Sequence, residues 1–137
     1  MWKNFLSLLY PSSCLICNRV LHVPENLLCL TCYSDLPKTP LKHSILDNST
    51  TTDFSGSLAL FEYNHSGIKK LIHQLKFEGN YKIGQLLAID LGKAILSHLE
   101  CDEFDYIVTV PINSRKRKSR GYNQSLIIAR EVSKIIK

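Results

Sequence analysis

The spacing of hydrophobic positions along this chain changes several times. Between residues 66 and 80, Ile68, Leu71, Ile72 and Leu75 recur at i, i+3, i+4 and i+7, the stripe of an amphipathic helix. Ser66 stands where a cap is needed, and Gly79-Asn80 supplies a stop. A second helix is predicted from about Ile83 to Leu99, with Leu86, Leu87, Leu91, Ala94 and Ile95 facing inward and Gly92 weakening it slightly. Ser125 to Ile136 predicts a third, striped by Ile128, Val132 and Ile135. Elsewhere the apolar residues run together. "LALFEY" (Leu58–Tyr63) reads as a short strand. "FDYIVTVP" (Phe104–Pro111) is rich in β-branched residues and reads as a strand buried on both faces.

The two ends of this pattern differ. Trp2, Phe5, Leu6 and Leu9 share one helical face, suited to packing on the protein itself ahead of a partner or membrane surface. Residues 37–56 are rich in Ser, Thr, Asp and Pro, lack periodicity, and read as a linker. No apolar run approaches the ~20 residues that span a bilayer. The apolar stretch before Cys14 is shorter than a secretory core of ~7–15 residues, and Pro11 is misplaced for a lipid-modified cysteine, so export is not expected.

Four of the five cysteines are paired in sequence. Cys14-Leu15-Ile16-Cys17 and Cys29-Leu30-Thr31-Cys32 are two C-x-x-C units, each able to aim two thiolates at one point about 2.3 Å from a metal. Two such turns close the tetrahedron of a structural Zn²⁺ site, with residues 18–28 as a short hairpin turning at Pro24-Glu25-Asn26. Three other readings compete. Disulfides need an oxidising compartment. A redox C-x-x-C needs a thioredoxin-like strand–helix junction. His22 or His43 as ligand would displace a thiolate from a set already full. Cys101 reads as a thiol with no role.

Net charge is +5, and Arg115, Lys116, Arg117, Lys118 and Arg120 alone carry five positive charges, so the remainder is close to neutral. This basic stretch reads as a loop between the end of a buried strand and a helix, the place where an open α/β sheet binds ligands. Arginines suit bidentate phosphate recognition, and a following helix N-terminus favours anions. Gly121 permits close backbone approach, Tyr122 offers a ring face, and Asn123 and Gln124 either bond hydroxyls or cap the helix. The competing reading is a solvated surface loop.

Together "LIHQLKFEGN", "VPINSRKRKSRGYNQS" and the four cysteines resemble the ComF (competence protein F) family over nearly the whole chain. Val110-Pro111, Arg115 or Arg117, and Arg120-Gly121-Tyr122-Asn123-Gln124 match one family signature. Ile72, His73, Leu75, Lys76, Phe77 and Gly79 match another. The resemblance implies an α/β fold: an N-terminal zinc ribbon (1–36), a linker (37–56), and at 57–137 the first half of a phosphoribosyltransferase-like parallel sheet with helices. It also implies binding of phosphoribosyl pyrophosphate, with Mg²⁺ if the full domain exists, near Arg115 and Arg120, with Lys76 adding charge. It places the protein in the cytoplasm, at the inner face of the membrane, acting on single-stranded DNA with the DNA-uptake machinery of natural transformation. The family's adjacent acidic pair and Thr/Gly-rich loop are absent from this sequence. The chain therefore reads as C-terminally truncated or split, and phosphoribosyl transfer is not expected of it. The alternative is a non-catalytic zinc protein that binds single-stranded nucleic acid, stacking a base on Tyr122.

Overall fold

The structure is a computed structural model that describes residues 11–39, 58–99 and 104–136. The expected N-terminal helix, most of the linker, His43 and Cys101 lie outside these residues. The described part is mostly helical: α1 (Leu30–Ser34), α2 (Ser66–Phe77), α3 (Tyr81–His98), α4 (Ser114–Arg120) and α5 (Gln124–Ile135).

Helices α2, α3 and α5 form where the stripes predict them. Helix α2 starts at Ser66, but His65 is its N-cap and no side chain caps it, so Ser66 does not play the expected part. Gly79 adopts φ +72°, the left-handed conformation that ends the helix. Helix α3 buries Ile83 and Leu87 together with Gly84, Ala88 and Gly92. These three small residues repeat every fourth position and let α5 approach closely. A Cβ built on Gly92 would lie 2.9–3.1 Å from Ile135, and one on Gly84 would lie 3.2 Å from Ile127. Gly92 is therefore a packing residue, not merely a weak point.

The cysteine knuckles are part of the same interior. Cys14, Leu28, Cys29 and Leu36 share one hydrophobic core with Ile68, Leu71 and Leu75 of α2 and Ile83 and Leu87 of α3. Polar contacts reinforce the junction. Tyr33 donates its hydroxyl to Asp90 Oδ1 at 2.5 Å, Lys70 Nζ donates to Ile16 O at 2.8 Å, and Gln74 Nε2 donates to Leu15 O at 3.4 Å. Burial, reinforced by Asp90, pushes the Tyr33 phenol up to about 12.

The expected parallel sheet is not found among the described residues. Among the described residues, strand pairing is confined to two isolated antiparallel bridges, Ser13 with Val20 and Lys38 with Phe61. At the second, Thr39 N donates to Leu60 O at 3.1 Å and Glu62 N to Pro37 O at 3.3 Å. Pro37 has no N–H to return to Glu62, so the ladder stops there and "LALFEY" stays a one-bridge stub. The "FDYIVTVP" segment is not a buried strand. Tyr106 is 86% exposed and Val108 88%. A β-branched composition favours a sheet only where neighbouring backbone exists to pair with, and the described residues offer none.

The basic stretch is not a loop either. It folds as α4, because Arg and Lys are good helix formers and both ends are marked. Asn113 Oδ1 accepts from Arg115 N at 2.9 Å as the N-cap. Gly121, at φ +78°, closes the other end. Arg117, Lys118 and Arg120 fall in the last turn, where the helix dipole favours cations.

Candidate metal centre and basic cleft

The first site is built by backbone turns around the cysteines. Cys14 N donates to Arg19 O at 2.8 Å and Asn18 N to Cys14 O at 2.9 Å. Asn18 takes φ +62°, a left-handed position that asparagine tolerates. This turn brings Cys17 back over Cys14. Across from it, Cys29 caps α1, its Sγ accepting from Cys32 N at 3.4 Å. Glu25 ties the connection between them. Its carboxylate accepts from His22 N at 3.0 Å, Leu30 N at 2.9 Å and Arg19 Nη2 at 2.7 Å. These donors, His22 N–H first, hold its carboxyl below the usual range.

The result is four free thiols with every sulfur within 4.8 Å of the others. Cys17 Sγ and Cys29 Sγ are 3.8 Å apart. A tetrahedron with Zn–S bonds near 2.3 Å has edges of about 3.8 Å, which the Cys17–Cys29 pair matches and the whole cluster approaches. A disulfide would need about 2.05 Å. His22 is exposed and offers no ligand atom to the cluster. The protonation chemistry fits a cation. Burial opposes ionisation of Cys14, but the N–H groups of Cys17, Cys29 and Ile16 outweigh it and bring the thiol down to about 6. Cys29 is lowered too, chiefly by Cys32 N–H. Cys32 is pushed up to about 12 by burial and then by its neighbouring thiols. A bound cation favours the thiolate and so opposes the burial that keeps Cys32 protonated. The four cysteines are thus placed to hold a metal ion.

The second site lies where α2 ends beside α4 and the start of α5. A cleft of about 480 Å³ is lined by Lys76, Lys116, Arg120, Asn123 and Gln124, with Val110, Pro111, Asn113 and Ile128 forming part of its walls. Lys76 comes from a different helix, yet the fold brings it to the basic segment. Among the described residues no carboxylate lines this cleft. Arg120 is held from two sides: its guanidinium lies 5.2 Å over the Phe77 ring, and Nη1 donates to Gln124 Oε1 at 3.3 Å. Gln124 Nε2 is buried without a hydrogen-bond partner.

Other predicted site residues fall elsewhere. Arg115, Arg117 and Lys118 are exposed on α4 and do not line the cleft. Gly121 serves the turn through its left-handed backbone. Tyr122 is half-buried, packing against the core and donating its hydroxyl to Leu75 O. Asn123 caps α5, its Oδ1 accepting from Ser125 N at 3.1 Å. Phe77, 64% exposed beside Arg120, is the residue that sequence reasoning passed over as a candidate for the site. Its place at the end of α2, one residue after Lys76, was the available signal.

An apolar groove adjoins the basic cleft, sharing Val110, Ser125 and Ile128 with it, and is lined among others by Leu91, Ile95, Phe104, Ile107 and Val132. Among the described residues, no helix is long and apolar enough to cross a membrane. Compared with protein-family models, characterised proteins and solved structures, the chain finds no match.

Proposed function

We propose that this protein binds a phosphate-bearing ligand in the cleft between α2 and α4–α5, anchored by a structural zinc at the four cysteines. The observation that carries the reading is the convergence of Lys76, Lys116 and Arg120 in a cleft with no lining carboxylate among the described residues. Arg120, held by Phe77 and Gln124, is positioned before any ligand arrives, which lowers the ordering cost of binding. Four thiolates are soft donors in a closed set, which favours zinc among common divalent ions and leaves no coordination position for catalysis.

Within this reading the protein is of the ComF type. Its ligand is phosphoribosyl pyrophosphate, accompanied by Mg²⁺ where the rest of such a domain is present, and its setting is DNA processing in natural transformation at the inner face of the membrane. Val110-Pro111 in the cleft wall and Arg120, Asn123 and Gln124 in its lining support it, since these residues belong to the motif that carries the resemblance. The sequence lacks the acidic pair and Thr/Gly-rich loop, so binding rather than phosphoribosyl transfer is assigned to these residues. A second reading, single-stranded nucleic acid, draws on Arg115, Arg117 and Lys118, which extend the charge beyond the cleft.

Titration calorimetry of the zinc-loaded protein with phosphoribosyl pyrophosphate and with a thymidine oligonucleotide separates them. Lys76→Ala and Arg120→Ala should each weaken phosphoribosyl pyrophosphate about tenfold or more, the size of a lost charge-assisted hydrogen bond. Arg117→Ala and Lys118→Ala should leave it unchanged. If only the oligonucleotide binds, with a steep salt dependence lessened by Arg117→Ala, the nucleic-acid reading replaces the first.

A further inference from the structure

Helix α2 touches both sites. On its ribbon side, Lys70 and Gln74 donate to the carbonyls of Ile16 and Leu15, the two residues between Cys14 and Cys17. Leu71 and Leu75 pack in the same core as Cys14 and Cys29. At its C-terminal end, Leu75 O accepts from Tyr122, Lys76 lines the basic cleft, and Phe77 carries the Arg120 guanidinium on its ring. The contacts at the two sites are thus separated by at most two turns of one continuous helix.

We infer that metal binding at the cysteines controls anion affinity at the cleft, with α2 as the connecting element. The Cys14–Cys17 turn presents its two intervening carbonyls in fixed positions only while both thiolates are held to one point. Freed from the metal, the two sulfurs are no longer held to one point, and Lys70 and Gln74 lose fixed acceptors. Helix α2 then loses its seat, and Lys76 and Phe77 move with it. Linkage makes the effect reciprocal: an anion that binds the ordered cleft tightens metal retention by the same factor. The inference rests on the proposed anion site, and the experiment below keeps the two apart.

Three forms of the full chain are compared: zinc-loaded, metal-free, and zinc-loaded Lys70→Met, which keeps the side-chain length and removes the donor to Ile16. The probe is inorganic pyrophosphate. Zinc release to a chromophoric chelator is timed with and without it, and amide hydrogen exchange is followed at residues 75–77 and 120–122. Expected are one zinc per chain in Lys70→Met, pyrophosphate binding weakened about tenfold in that variant and further in the metal-free form, and zinc release slowed by pyrophosphate. Faster exchange at both segments in Lys70→Met is also expected. Unchanged exchange in zinc-loaded Lys70→Met overturns the inference whether or not any anion binds. Should the wild-type loaded protein fail to bind pyrophosphate while exchange still responds to Lys70→Met, the anion site falls and the coupling of α2 to the knuckle stands.

Discussion

The cysteine knuckles and the segment from Phe104 to Asn113 are both short and both rich in apolar and β-branched residues, yet they meet opposite fates. In the knuckles, Cys14 and Cys29 are almost fully buried, and backbone donors and acceptors find partners within a few residues. In the other segment the side chains stand in solvent and no ladder forms among the described residues. The difference lies in where the constraint resides. A C-x-x-C unit carries its partner with it, and a turn three residues long closes at small entropic cost. A strand carries only half of its bonding and depends on backbone that must arrive from elsewhere.

The largest effect should come from the knuckles. Cys14→Ser or exhaustive chelation should melt residues 11–36, because a structural zinc site contributes about 10 kcal/mol or more of apparent binding energy to a small unit. Circular dichroism and loss of the α2 amide protection would report it. A change in the 104–110 segment, such as Val108→Thr, should leave both signals unmoved, since Val108 is 88% exposed. Equal damage from both would mean that the segment is structural after all.

Next in size is the seam between α3 and α5. Gly92→Ala places a methyl group 2.9–3.1 Å from Ile135 and should cost about 1–3 kcal/mol, exceeding the ~1 kcal/mol gain in helix propensity. The melting temperature should fall by several degrees, and a rise would show that the helices separate freely. Smaller is the alkaline response at the ribbon–helix junction. The Tyr33 phenol is raised from 10.0 to about 12, so it contributes stability below pH 10 that is lost as pH climbs toward 12. Tyr33→Phe should flatten this alkaline limb of the stability profile; an unaltered limb would assign it to other groups. Smallest is Asn113→Ala, which removes the cap of α4 and should cost about 1 kcal/mol of local helix stability. Amide exchange at Arg115 should quicken without a change at the cysteines.

The metal cage was legible because thiol chemistry and spacing are both written locally. The helices were legible because their stripes are periodic. Helix α4 departs from the expected loop because five like charges suggest a solvated turn, while the marks that decide the matter are the cap at Asn113, to which the sequence reading gives no role, and Gly121, which it assigns to ligand approach. Tyr122 makes a contact that its local sequence does not encode, its hydroxyl reaching Leu75 O on α2. The grouping of Lys76 with Arg120 enters the sequence reading only through the resemblance, since Lys76 reaches the cleft through the packing of α2 and no local pattern encodes that approach.

The Gly84–Ala88–Gly92 seam has a consequence for how such a gene drifts. Every substitution at Gly92 adds atoms, so random change there can only push α5 away. A lineage that acquires a side chain at 92 regains close packing by shrinking the residue opposite, Ile135. Positions 92 and 135 should therefore change together, large against small, in descendants of this sequence.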